Sequence, residues 1–307
     1  MTLDTEPAAR IAEAVRQAAA GLPGVRPDAV EAEARRGLYP GIRADEVDLA
    51  LVMAARSLVE EDPDYSPMAA RLLLGSLRRE ALTFLASSVD TAGQADMAAR
   101  YPAYFADYVA RGVELGQLDP ELEKFDLDRL GAALRPERDL DFTFLGLQTL
   151  YDRYFLHSDG VRYELPQAFF MRVAMGLALE EDDRDARAAE FYDLLSSFDF
   201  MCSTPTLFNA GTRHAQLSSC FLTTVDDDLE GIFKGISDNA LLSKYSGGLG
   251  NDWTPVRGIG SHIRGTNGKS QGVVPFLKIA NDTAVAVNQG GKRKGAVCAY
   301  LETWHID

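Results

Sequence analysis

Near Phe200 the periodicity of the chain changes, and this change limits the fold more than any other feature. Before it, apolar residues recur at helical spacing, as in Ile11, Val15 and Ala19, or Val47, Leu51, Ala54 and Leu58. After it, short β-like runs alternate with turns, and 14 of the 26 glycines fall in residues 201–307. The chain is therefore read as a helical part followed by an α/β part. Helices are expected over 7–20, 44–60, 67–88, 101–115, 142–155 and 185–198, with another opening at Pro166, a residue suited to a first turn. The densely apolar stretch Phe142–Phe155 reads as a buried helix. The stripe Tyr101, Tyr104, Phe105 and Tyr108 reads as core.

In the second part, residues 216–225 are β-like. A helix is expected from Asp227 to about Tyr245, with Asp227, Asp228 and Glu230 in its first turn, where the helix dipole favours acids. The run Gly247-Gly248-Leu249-Gly250 reads as a turn into a second strand, residues 273–287 as a helix and Ala296–Leu301 as a third strand. Strand, helix, strand, helix, strand is the opening of an α/β arrangement with parallel strands.

Charge and cysteine content exclude several function classes. The formal net charge is -15, which argues against a nonspecific nucleic-acid binder. Residues 201–307 carry 10 Lys and Arg against 9 Asp and Glu, whereas the first 200 carry 21 against 37. The balanced second part is where a polyanion such as a nucleotide is accepted locally. No apolar run is long enough for a membrane span, and the first residues do not form a signal sequence. Cys202, Cys220 and Cys298 are too few for a secreted disulfide framework and show no zinc spacing, so the expected compartment is the cytoplasm. His157, His214, His262 and His305 have no metal-ligand spacing either, and no metal site is expected. His305 sits at an expected strand end.

Read from the residues alone, Thr204, Ser218, Ser219, Ser246, Gly247 and Gly248 form a hydroxyl- and glycine-rich set at strand ends and turns. Backbone N–H groups and hydroxyls there can cradle a phosphate or sugar. Neither common phosphate fingerprint is present, so this reading stops at an α/β domain with nucleotide binding as one option.

Longer motifs go further. Ser203-Thr204-Pro205-Thr206-Leu207-Phe208-Asn209-Ala210-Gly211-Thr212, followed by Gln216-Leu217-Ser218-Ser219-Cys220-Phe221-Leu222, resembles the signature of ribonucleotide reductase large subunits. So do Ser243-Lys244 with Gly247-Gly248-Leu249-Gly250, the run from Arg257 to Gly268, Asn288-Gln289-Gly290-Gly291-Lys292-Arg293, and Trp304-His305. A fainter likeness covers residues 165–174 and 40–74. The resemblance implies a helical N-terminal domain followed by the first strands of a ten-stranded α/β barrel. The parts would be a degenerate or shortened ATP-cone over 1–90, the helical domain over 91–200 and the start of the barrel over 201–307.

The family reduces the ribose 2′-carbon. A thiyl radical on one cysteine takes the 3′-hydrogen, and a cysteine pair supplies two reducing equivalents and becomes a disulfide. By resemblance Cys220 is one member of that pair, and Thr204, Ser219, Cys220 and Gly248 are substrate contacts. Asp227, Asp228, Leu229, Lys244, Arg257, Arg264 and Gly265 match the effector site, for ATP, dATP, dTTP or dGTP. Loop residues 258–269 and Asn288–Lys294 would respond to the effector. Cys202 and Cys298 match no family cysteine and read as core or incidental; a Cys202–Cys220 pairing stays open.

The implied partners are a small radical-generating subunit carrying a metal cofactor, thioredoxin or glutaredoxin as reductant, and a second copy of the chain. No cofactor is expected to bind this chain directly. The alternatives are a cobalamin-dependent reductase and a non-catalytic nucleotide-binding module. Agreement through Ser270–Arg293 favours the two-subunit type. The family's Asn-x-Cys-x-Glu segment, which carries the radical cysteine, has no counterpart here, so the chain alone is expected to be inactive.

Overall fold

The computed structural model describes residues 5–39, 41–85, 93–245, 248–287 and 295–307. They divide into two compact units: residues 1–201 with 211–213, and residues 202–210 with 214–307.

The first unit is helical. Its helices are α1 (Thr5–Ala19), α2 (Pro27–Arg36), α3 (Ala44–Ser57), α4 (Tyr65–Phe84), α5 (Gln94–Glu114), α6 (Leu127–Ala133), α7 (Phe144–Arg153), α8 (Pro166–Ala178) and α9 (Arg184–Ser196). A two-residue hairpin, β1 (His157–Ser158) with β2 (Val161–Arg162), leads into α8. Pro27 and Pro166 each stand in the first turn of their helix, where the missing N–H costs nothing. Helix α4 ends at Phe84; the expected extension to Ser88 lies outside the described residues.

The tyrosine stripe of α5 is buried, and its hydroxyls hold two buried carboxylates. Asp139 accepts from Tyr101 at 2.8 Å, Arg78 at 2.7 Å and Gln167 at 2.8 Å. Glu164 accepts from Tyr108 at 2.5 Å, Arg172 Nε at 2.7 Å and the Leu156 N–H at 2.9 Å. Burial, with Asp139 beside it, holds the Tyr101 phenol well above the ordinary tyrosine range; burial and Glu164 do the same to Tyr108. Both hydroxyls therefore stay protonated and remain donors. These two networks tie α4, α5 and α8 together through the turn at 136–140 and the segment before α8.

One expectation fails here. Helix α7 is not buried: it buries only Leu147, and Leu145 is 75% exposed. The buried aromatics Phe142 and Phe155 flank the helix instead of lying on it. The buried helix is α8, with Ala168, Phe169, Phe170, Met171, Arg172, Val173 and Ala174 all inside.

The second unit holds helices α10 (Thr204–Asn209), α11 (Leu229–Tyr245) and α12 (Val274–Ala286). Its strands are β3 (Cys220–Thr224), β4 (Gly248–Asp252), β5 (His262–Ile263), β6 (Gly268–Lys269) and β7 (Ala296–Tyr300). Strands β3, β4 and β7 form one parallel sheet with β4 in the middle. Helices α11 and α12 are the two crossovers, as parallel pairing requires. Val225, Ile232, Ile236, Trp253, Val256, Val273 and Ala280 make the core of this unit.

The boundaries correct the sequence reading at three points. Gly248 is already paired in β4, so the glycine run is strand from its second residue; Ser246 and Gly247 lie outside the described residues. Helix α11 starts at Leu229, because the Asp228 carboxylate accepts from the Gly231 N–H at 2.7 Å and caps it. Strand β7 ends at Tyr300, and His305 sits in a turn with its Nε2 2.7 Å from the Val256 carbonyl.

Candidate functional site

Strand alternation puts Cys220, Leu222 and Thr224 on one face of β3. The register carries that face across the sheet: Cys220 is opposite Gly248, which is opposite Ala296; Leu222, Gly250 and Cys298 form the next row; Thr224, Asp252 and Tyr300 the last. The other face turns Phe221, Thr223, Leu249 and Asn251 toward the helices. There Asn251 and Asn239 exchange side-chain hydrogen bonds at 2.8 and 3.0 Å, and Asn251 donates to Thr223 at 2.6 Å.

The Cys220 face is open because β4 contributes glycine to it twice. A Cβ on Gly248 would lie 3.2 Å from the Cys220 sulfur, so a side chain there would displace the thiol. The Gly248 N–H donates to the Ser219 carbonyl at 3.0 Å, which fixes Ser219 and Cys220 at the mouth of the face. Cys220 is exposed and its thiol is free. Helix α10 reaches this corner through the segment leading into β3. The Thr206 hydroxyl donates to the Leu217 carbonyl at 3.2 Å, and the Asn209 amide to the Gln216 carbonyl at 2.7 Å. Thr204 is the first residue of that helix. The fold thus gathers Ser219, Cys220 and Gly248 at the N-terminal end of the sheet, with Thr204 on the helix that clamps the approach.

The second residue set lies beyond the opposite end of the same strands. Asp227 follows β3 and Arg257 follows β4 in sequence, and the two pair. Arg257 Nε lies 2.9 and 3.0 Å from the carboxylate oxygens, and the Arg257 backbone N–H donates to the same carboxylate at 2.9 Å. Its remaining nitrogens donate to the Asp227 and His262 carbonyls. Partial burial would raise the Asp227 carboxyl, but the Arg257 hydrogen bonds outweigh it and hold the group below the ordinary carboxylate range. The stabilisation from this pair is therefore present at neutral pH. It is lost as the pH falls out of the ordinary carboxylate range and through the lowered Asp227 value. Arg264 and Gly265 are exposed in the turn joining β5 to β6. Leu229 begins α11 and Lys244 lies in its last turn. At about 1.5 Å per residue, that helix holds Lys244 roughly 22 Å from Leu229. One chain therefore does not bring Lys244 to the Asp227–Arg257 pair.

Of the two readings of Cys298, core or incidental, the structure removes the first. It is exposed and not core, and it shares the Cys220 face. The period-two alternation of Ala296, Cys298 and Tyr300 is the signal that could have shown this. Cys202 is half-buried, and burial pushes its thiol up. Among the described residues no group of three or more His, Cys, Asp or Glu side chains could hold a metal. No helix among them is long and apolar enough to cross a membrane. The effector-responsive loop Asn288–Lys294 lies outside the described residues.

Two family models match in tandem: "Ribonucleotide reductase, all-alpha domain" over residues 140–215 and "Ribonucleotide reductase, barrel domain" over 218–307. Together they cover more than half of the chain. The chain belongs to the ribonucleotide reductase large-subunit family. Among its relatives, the ribonucleoside-diphosphate reductase subunit alpha of Chlamydia muridarum is 57% identical over 270 residues, covering 88% of this chain and 25% of the relative. The protein of the same name from Helicobacter pylori is 42% identical over 301 residues, 97% of this chain and 36% of the relative. The ribonucleoside-diphosphate reductase large chain of Schizosaccharomyces pombe is 37% identical over 278 residues, 88% and 32% respectively. The chain thus spans a quarter to about a third of the length of these curated relatives. The all-alpha match falls on the last part of the helical unit and the barrel match on the three-stranded parallel sheet, so the chain runs from a reductase helical domain into the start of its barrel.

A further concavity of about 620 Å³ lies within the helical unit, between α1, α3, α4 and α5. Arg10, Asp48, Arg71, Arg78 and Arg79 line it. Asp48 pairs with Arg10 at 3.2 Å and with Arg79. The Nε atoms of Arg71 and Arg78 are buried without a hydrogen-bond partner.

Proposed function

We propose that this chain supplies the substrate face and part of the effector site of a ribonucleoside-diphosphate reductase. The observation that carries the reading is the free, exposed Cys220 thiol, seated over Gly248 beside Ser219 on an open sheet face. Reducing a ribose 2′-carbon requires a thiol donor within reach of the leaving hydroxyl. It also requires hydroxyl and backbone groups to hold the sugar and phosphates. Cys220 is read as one member of the reducing pair, with Thr204, Ser219 and Gly248 as substrate contacts. The names of the relatives favour a nucleoside diphosphate as substrate and the two-subunit type of enzyme. The expected partners are a radical-generating small subunit with a metal cofactor and a thioredoxin or glutaredoxin, in the cytoplasm.

The effector reading rests on separation. Asp227 and Arg257 stand at the far end of strands five residues long, about 16 Å from the Cys220 corner. Two nucleotides can therefore bind without competing. Asp227, Asp228, Leu229, Arg257, Arg264 and Gly265 are assigned to the effector; arginine forks suit triphosphate oxygens. A second copy packed antiparallel along α11, which exposes Leu229, Phe233 and Leu241, would bring its Lys244 end to this set. That accounts for Lys244 and for the expected homodimer together. The arginine-lined hollow of the helical unit is read as what remains of an ATP-cone.

The test is titration with dTTP. Arg264→Ala leaves the Asp227–Arg257 pair intact and should weaken dTTP binding roughly tenfold, about the value of one charge-assisted contact. Arg257→Ala with Arg264→Ala should abolish it. Unchanged affinity in the double variant would remove the assignment.

A further inference from the structure

After Arg257 the chain makes a short antiparallel hairpin over residues 258–272. His262 of β5 stands opposite Lys269 of β6. Below that pair the Gly260 N–H donates to the Ser270 carbonyl at 2.9 Å, and the Ser270 N–H to the Ser261 carbonyl at 2.8 Å. The tip carries Arg264 and Gly265. No residue from 259 to 271 is buried. A two-stranded hairpin without a buried face is marginal by itself, so its place on the unit has to be set at its ends.

The segment after β7 ties both ends. One Asp307 carboxylate oxygen accepts from the Ile259 N–H at 2.8 Å, and the other from the Val273 N–H at 2.7 Å. Each oxygen has its own donor. These two N–H groups hold the Asp307 carboxyl below the ordinary carboxylate range, so both bonds are charge-assisted at neutral pH. His305 steadies the segment. Its Nε2 lies 2.7 Å from the Val256 carbonyl, which can only accept, so Nε2 carries the proton. Nδ1 is then left to accept the Asp307 N–H at 3.2 Å, and a single tautomer satisfies both bonds. Glycines make room for the crossing. A Cβ on Gly258 would lie 2.1 Å from an Ile306 methyl, and one on Gly272 would lie 2.3 Å from an Asp307 carboxylate oxygen. Gly272 also has φ +77°, where a side chain is strained.

We propose that Asp307 is a positioning residue for effector binding: its carboxylate clasps both ends of the 258–272 hairpin and holds Arg264 in place before the nucleotide arrives. Asp307 itself does not touch the effector. Without the clasp every effector contact is still present, but the hairpin takes other attitudes as well, and apparent affinity falls with the fraction that is competent. The role rests on the effector reading of Arg264. The clasp itself is measured without any nucleotide, so failure of one is distinguishable from failure of the other.

The test is hydrogen-exchange mass spectrometry of the full-length subunit, with and without dTTP, beside a dTTP titration. Asp307→Asn keeps the size of the side chain but leaves one acceptor oxygen for two donors. Amides of residues 258–273 should exchange on the order of tenfold faster, as expected for one lost charge-assisted bond, while those of α5 and α8 keep their rates. The same variant should bind dTTP on the order of tenfold more weakly, and saturating dTTP should return residues 258–273 to the parental exchange rate. A merely structural role would give no such recovery. Unchanged exchange of 258–273 in Asp307→Asn overturns the clasp. Unchanged dTTP affinity in Asp307→Asn, where Arg264→Ala does weaken binding, overturns the positioning role. If exchange quickens but neither variant weakens dTTP binding, the effector reading of the hairpin fails and the positioning role falls with it.

Discussion

Cys220→Ser in the full-length subunit should stop multiple-turnover reduction of ribonucleoside diphosphates, while Cys202→Ser leaves it intact. Both thiols belong to the same compact unit, yet their settings differ. Cys220 is exposed on a sheet face kept open by Gly248 and Gly250, and its neighbour Ser219 is fixed by the Gly248 N–H. Cys202 is half-buried, and its thiol is pushed up by desolvation, which disfavours the reactive anion. Serine matches the size and hydrogen bonding of cysteine but cannot form a disulfide, so the reducing equivalents have no source. Substrate binding should be nearly unchanged, since the groups proposed to hold sugar and phosphate remain. Assay of deoxynucleotide formed per site, alongside substrate affinity, separates these effects. Sustained turnover in Cys220→Ser would remove the redox role.

The second large effect concerns stability. Arg172→Met should lower the unfolding free energy of the helical unit by about 3–5 kcal/mol, because removing one partner of a buried ion pair leaves the other charge uncompensated. Arg172 and Glu164 are both fully buried, 2.7 Å apart. Burial works against the Arg172 charge, and the Glu164 carboxylate more than offsets it, so the arginine stays firmly protonated. Glu164 also holds Tyr108 of α5 and the Leu156 N–H, so an unpaired Glu164 disturbs three segments at once. Replacing both members, as Arg172→Met with Glu164→Leu, should recover much of the loss. Urea denaturation of the parent chain, Arg172→Met, Glu164→Leu and the double variant measures this. If the double variant is as unstable as the sum of two single losses, the network and not the unpaired charge dominates.

Much of the architecture is legible in the sequence because its signals are local. The crossover pattern of residues 220–300 follows from short strands alternating with helical periodicity, and α8 is announced by Leu165-Pro166. What is not legible depends on distant partners. Helix α5 begins at Gln94 and continues through Pro102, where propensity alone predicts a break; burial of Met97, Tyr101, Tyr104 and Phe105 along its length overrides the lost backbone bond. The exposure of α7 depends on what packs beside it, and an apolar run does not report that. Asp227 and Arg257 are 30 residues apart, so their pairing is invisible until β3 and β4 lie side by side. Cys298 was readable in principle: strand alternation places it with Tyr300, but only the register of β7 on β4 places both on the face of Cys220.

The central claim is that the Cys220 face is where a ribose is reduced. It is tested most directly by one turnover of the full-length enzyme without an external reductant, followed by alkylation and peptide mass spectrometry. The account predicts that Cys220 changes from an alkylatable thiol to a disulfide in step with the deoxynucleotide formed, and that Cys202 and Cys298 stay alkylatable. Product formed while Cys220 remains fully alkylatable would contradict it.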